Sequence, residues 1–111
     1  MSFVSMFDDV IPREKILSDA RSFLDQCDWE LEIGESVWVR IPRNAELRVR
    51  TRAFIEADSS DIFLDDHFEA VVILGCEEEQ EHWWAKYGLL KLYYDRDGQF
   101  VSEDRYPAPA G

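Results

Sequence analysis

Between Pro12 and Cys27 the apolar residues recur at helical period, and from Trp29 onward they recur at a period of two. Ile16, Leu17, Ala20, Phe23, Leu24 and Cys27 stand at i, i+1, i+4, i+7, i+8 and i+11, while Glu14, Asp19, Arg21 and Asp25 fall off that line. One apolar stripe of this kind predicts an amphipathic helix over about 12–27. Pro12 suits its first turn, where a missing N–H is no loss.

Beyond the helix, Trp29, Leu31 and Ile33 alternate with Glu30 and Glu32 until Gly34-Glu35-Ser36 interrupts. Val37, Val39 and Ile41 alternate with Trp38 and Arg40 and stop at Pro42. Leu47, Val49, Thr51, Ala53 and Ile55 alternate with Arg48, Arg50, Arg52 and Phe54. Each run has the pattern of a half-buried antiparallel strand. The short connection Arg43-Asn44-Ala45 predicts that the second and third strands form a hairpin. Residues 57–67 form one long loop, with an apolar knot (Ile62, Phe63, Leu64) between acidic flanks.

Phe68 to Cys76 is apolar on both faces from Ala70 to Leu74, which predicts a central strand covered on both sides. Glu77 to Glu81 is polar enough for a turn. His82 to Asp95 reads as a long strand with Gly88 as a bulge; a short helix over 78–87, ended by Gly88, is the competing reading. Leu89 to Tyr94 and Gln99-Phe100-Val101 flank Asp95-Arg96-Asp97-Gly98. They predict a β-hairpin, the glycine supplying the positive φ its turn needs. The region from Trp83 to Tyr106 holds seven of the fifteen aromatic residues (Trp83, Trp84, Tyr87, Tyr93, Tyr94, Phe100 and Tyr106).

The expected fold is therefore α+β. One N-terminal helix packs on a curved antiparallel sheet of five or six strands, a two-layer sandwich. That order resembles cystatin-like and related curved-sheet folds in architecture; no motif ties the chain to a family, and architecture does not imply function. A length of 111 residues fits a single domain over 1–111. Residues 1–10 are expected as a loosely held arm whose Phe3, Val4, Met6 and Phe7 pack in part on the domain or a partner, and 107–111 as a flexible tail.

Charge changes the picture more than composition does. The formal net charge is −12, divided unevenly: residues 1–55 carry 8 basic and 10 acidic groups (−2), and residues 56–111 carry 4 and 14 (−10). Such a surplus repels nucleic acid and anionic membrane and favours a basic partner, or serves solubility alone. The two cysteines, Cys27 and Cys76, lie in apolar patterns and make no disulfide framework, so a reducing compartment is expected. The N-terminus lacks a secretory signal, and no apolar run is long enough to span a membrane. A soluble cytoplasmic protein follows.

Candidate chemistry is sparse. Asp65-Asp66-His67, with Asp58, Asp61 and Glu69, offers oxygen and nitrogen ligands at no recognised metal spacing. Cys27 and Cys76 sit where thiol pKa rises, and no Gly-rich phosphate loop exists. No catalytic residue, cofactor or metal is expected.

Two surfaces remain. Arg48, Arg50 and Arg52 alternate and so share a face, which Trp38 and Arg40 of the neighbouring strand and Phe54 extend. These are residue types enriched at binding hot spots, although exposed arginines also pair with acids across a sheet at little gain. The second surface is acidic: Asp58, Asp61, Asp65, Asp66, Glu77, Glu78, Glu79 and Glu81. Adjacent Trp83 and Trp84 point to opposite strand faces, so one needs a cover, which the loop, a partner or a homodimer through the sheet would supply. The expected function is a non-catalytic protein-binding module, in its sharpest form a small acidic inhibitor or immunity-type protein acting on a basic partner. The alternatives are an apolar ligand or acid–base pocket lined by Trp83 or Trp84, Tyr87, Tyr93 and Phe100, and a subunit of a larger assembly.

Overall fold

The computed structural model describes residues 7, 9–32, 37–56, 66–79 and 82–107, without the side chains at 78, 79 and 82–84. The expectations for the arm at 1–6, the apolar knot at 62–64, the two tryptophan side chains at 83 and 84, and the tail at 108–111 lie outside that description.

The predicted helix, α1, spans Arg13–Gln26, with Pro12 at its N-cap in extended geometry (φ −62°, ψ 156°). Its stripe resolves into a fully buried line, Ile16, Ala20 and Leu24, flanked by partly buried Leu17, Phe23 and Cys27. The i, i+4, i+8 spacing places those three on one side of the cylinder, which is why they share one depth. Its end is a Schellman turn: Trp29 N–H donates to Leu24 O (2.8 Å) and Asp28 N–H to Asp25 O (3.2 Å). Asp28 takes the left-handed position (φ 55°) where glycine is usual, and Trp29 follows it there (φ 58°). Trp29 tolerates this because its ring is buried and its Nε1 donates to Asp25 Oδ1 at 2.7 Å.

Asp28 is exposed and adds negative charge at a helix C-terminus, where the dipole opposes it. Asp28→Gly is therefore expected to stabilise the fold by about 0.5–1 kcal/mol. Thermal unfolding checks this; a lowered midpoint would mean the left-handed turn is not under strain.

Six strands follow: β1 Glu30–Glu32, β2 Trp38–Arg40, β3 Leu47–Ile55, β4 His67–Glu79, β5 His82–Tyr94 and β6 Phe100–Tyr106. They do not form the single sheet of five or six strands that the alternation predicts. β1 and β2 pair with each other as a two-stranded sheet, and β3-β4-β5-β6 form an antiparallel meander. The hairpin predicted between β2 and β3 is likewise absent, since β3 pairs with β4. The physical reason lies in the connection. Pro42 has no N–H for a ladder, and Ala45 N–H closes a turn on Pro42 O (2.9 Å) that carries the chain away. Buried Leu31 and Ile41 then join the helix-side core, so the small hairpin packs beside α1 instead of lengthening the sheet.

Within the meander, β4 holds the central place its two-sided apolar pattern predicts, between β3 and β5. Phe68, Ala70, Val72 and Leu74 are buried in the core cluster with α1, together with Leu90, Leu92 and Tyr94 of β5 and Leu47 and Val49 of β3. Residues 82–94 are strand, which excludes the competing helix over 78–87. Gly88 stands at the expected irregularity: Leu74 faces Gly88 but Cys76 faces Ala85, so β5 carries an extra residue there. The Asp95–Gly98 turn also forms as read, with Asp95 Oδ1 accepting from Asp97 and Gln99 N–H, both at 2.9 Å. Gly98 has φ +82°, and a Cβ there would stand 2.6 Å from Val10 O, so the segment entering α1 seats against this turn.

Candidate binding site

Register decides which predicted site residues meet. Val49 faces Val72 and Thr51 faces Val71, so Arg50 is an extra residue, a β-bulge in β3. A bulge of one residue reverses every face beyond it. Arg48 (opposite Ile73) therefore lies on the sheet face away from α1, whereas Arg52 (opposite Ala70) and Phe54 (opposite Phe68) lie on the helix face. The arginine stripe does not exist as one surface. Arg52 is drawn inward: its guanidinium sits 5.6 Å from the Phe7 ring centre and donates to Ile11 O at 3.5 Å. Phe54 packs on Phe68 at 4.8 Å between centroids. Arg48 reaches Glu46 at 3.2 Å, and Arg50 is exposed at the bulge.

Trp38 and Arg40 belong to the separate β1–β2 hairpin. Trp38 is 64% exposed and adjacent Val37 56% exposed, while Arg40 Nε donates across the hairpin to Glu30 Oε1 at 2.9 Å. Near the same end, Arg43 contacts Asp25 (3.3 Å) and lies 5.9 Å from the Trp29 ring centre.

Of the acidic surface, Asp58, Asp61, Asp65 and Glu81 fall outside the described residues, as do the side chains of Glu78 and Glu79. Glu77 pairs with Lys86 at 3.4 Å. Asp66 enters a feature the sequence reading missed.

This feature is an open cleft of about 670 Å³ on the sheet face opposite α1, at the end that carries the β5–β6 turn. The register brings Glu69 opposite Tyr93 and Tyr93 opposite Ser102. His67 Nε2 lies 3.0 Å from Glu69 Oε1, and Lys91 Nζ lies 3.1 Å from Glu69 Oε2. Burial pushes the Glu69 carboxyl upward, but the hydrogen bonds and charges of His67 and Lys91 outweigh it and hold it below its usual value. Tyr93 donates its hydroxyl to Asp104 Oδ2 at 2.6 Å; burial, then this bond and charge, raise the phenol well above its usual pKa. Asp66, Asp95, Ile55 and Val101 complete the walls.

The alternative pocket does not assemble as expected. Tyr93 faces this cleft, but Phe100 lies on the other sheet face, edge-on to Tyr94 at 6.0 Å, and Tyr87 packs against the helix-side core. A signal for the true cleft is present in the sequence as two i, i+2 pairs, His67/Glu69 and Lys91/Tyr93, each on one strand face; their juxtaposition depends on register. Among the described residues no three His, Cys, Asp or Glu side chains stand close enough to hold a metal ion, and no helix is long and apolar enough to cross a membrane. Comparison with protein-family models, curated proteins and solved structures finds no match.

Proposed function

We propose that this protein is a non-catalytic binding module for a basic protein, drawn in by the acidic field and gripped through the β1–β2 hairpin. The observation that carries this reading is Trp38. A tryptophan 64% exposed leaves most of a large apolar ring in water, where burial against a partner is worth more than for any smaller side chain. Its twin at Trp29, nine residues earlier, is buried, so the hairpin has room for one core tryptophan and presents the other outward. The charge of −12 supplies long-range attraction that speeds encounter and weakens with salt.

The test is capture from the native host at low salt, with a high-salt wash, using the wild type and Trp38→Ala side by side. A basic protein held by the wild type, released by salt and bound about 30-fold more weakly by Trp38→Ala, at unchanged thermal stability, is the expected result. Equal retention by both proteins would remove the hairpin from the interface. Failure to retain any basic protein would remove the proposal.

A further inference from the structure

We infer that the outer edge of β2 is a self-association edge. A second copy of this chain pairs with it antiparallel, extending the small sheet to four strands across a two-fold axis. The pairing uses main-chain groups in the plane of the sheet and leaves the outward face of the hairpin open. It therefore goes beyond the basic-partner reading and does not rest on it.

The register of the hairpin decides which groups are available. Ile41 N–H donates to Trp29 O at 2.8 Å. Antiparallel pairs alternate between bonded and non-bonded, so Leu31 and Val39 bond across the hairpin and the pairs Glu30/Arg40 and Glu32/Trp38 do not. Trp38 and Arg40 therefore point their N–H and C=O groups away from β1. The far side of β1 shows the same alternation already in use. Glu30 N–H donates to Cys27 O at 3.1 Å, and Glu32 O accepts from Arg105 Nη1 at 3.4 Å. β2 has no such neighbour, because its sheet is β1-β2 alone, and Trp38 and Arg40 are both exposed. Among the described residues nothing hydrogen-bonds to their main-chain N–H groups. The edge stops at Pro42, which has no N–H and whose carbonyl accepts from Ala45 at 2.9 Å.

Self-complementarity names the occupant. An antiparallel copy centred on Val39 sets Trp38 opposite Arg40 of the second copy, and Arg40 opposite its Trp38. Each pair exchanges two main-chain hydrogen bonds, so the outward donors and acceptors of both strands are all used. The same register lays each Arg40 guanidinium, on a side chain 82% exposed, beside a Trp38 ring on the face the two residues share. Half-buried Val39 meets its own copy on the other face. No acid faces an acid, and residues 1–55 carry a net charge of only −2. The edges of the larger sheet are guarded against such pairing. β3 carries the bulge at Arg50, and an antiparallel copy of β6 would bring Glu103 and Asp104 together with their own kind.

The test is sedimentation equilibrium of the purified full chain up to about 1 mM. The expected result is a mass that climbs from 13.1 kDa toward twice that value, and climbs further in high salt, which screens the repulsion between two acidic copies. Capture of a basic partner responds to salt in the opposite sense. Arg40→Ala keeps the N–H and loses the ring contact, so it should still dimerise, about tenfold more weakly. Arg40→Pro removes the outward N–H and should be monomeric; Val39 before it is already extended, as a residue preceding proline prefers. NMR of the labelled wild type needs no variant: on concentration the amides of Trp38 and Arg40 should shift and exchange more slowly, while those of β6 stay unchanged. A mass fixed at that of one chain, dimers formed equally well by Arg40→Pro, or shifts centred on β6 would overturn the inference. A monomer that still captures a basic protein through Trp38 would leave the proposed function standing; a dimer that captures none would do the reverse.

Discussion

Gly75→Ala is expected to cost about 3 kcal/mol and lower the thermal midpoint by on the order of 10 °C. Two causes act at one atom. Gly75 sits at φ +70°, a left-handed conformation that costs an L-residue roughly 1–2 kcal/mol. A Cβ there would also run into the Tyr87 ring at Cδ2 and, 2.7 Å away, Cε2. The backbone cannot relax to relieve either, because the N–H groups of Gly75 and Cys76 both donate to Glu46 O, at 2.9 and 3.0 Å. That shared carbonyl ties the start of β3 to β4 at the point where β5 takes in its extra residue. The two causes separate in a double-mutant cycle. In a Tyr87→Ala background the clash disappears and the Gly75→Ala cost should fall to the backbone part alone. A midpoint within about 3 °C of wild type would show that the bulge is not built on a left-handed glycine.

The sequence makes some of this architecture legible, and the missing parts share one cause. α1 is visible because Ile16, Ala20 and Leu24 need only their own spacing to define a face. The Asp95–Gly98 turn is visible because its bonds run between residues two to four positions apart. Strand existence is visible for the same local reason. Pairing is not: nothing between Val37 and Ile55 says that β2 will turn back on β1 and leave β3 to pair with β4.

The bulge at Arg50 shows the cost most clearly. Strict alternation puts Arg48, Arg50 and Arg52 together; one extra residue sends Arg52 and Phe54 to the helix side and leaves Arg48 on the other. The cleft was hidden by the same dependence, since His67, Tyr93 and Asp104 lie on three strands and meet only through two registers. Trp38 is conspicuous in the sequence by residue type alone, and it stands exposed, but on the separate two-stranded sheet.

Tyr94 is the second position of large expected effect, because one side chain ties the two layers together. It is fully buried on the helix face of β5. Its hydroxyl donates to Asp19 Oδ2 at 2.9 Å, the same oxygen that Lys15 Nζ contacts at 2.9 Å, and that ammonium lies 5.0 Å from the Tyr94 ring centre. Tyr94→Ala should remove about 3–5 kcal/mol, the usual loss for a buried aromatic ring. Tyr94→Phe keeps the ring and leaves Asp19 its lysine, so the cost should be only about 1 kcal/mol.

The two substitutions then diverge with pH. Burial, followed by the bond to Asp19 and its charge, raises the Tyr94 phenol well above its ordinary value. A raised folded-state pKa means the contribution is complete below the unfolded value, about 10, and is lost as pH climbs above it, because the unfolded chain ionises first. The stability gap between wild type and Tyr94→Phe should therefore hold steady from pH 7 to about 9.5 and close above about pH 10. Thermal midpoints of both proteins measured across that range decide it. A gap that stays constant to pH 11 would mean that Tyr94 ionises as easily folded as unfolded, and that its hydroxyl is not sealed between helix and sheet.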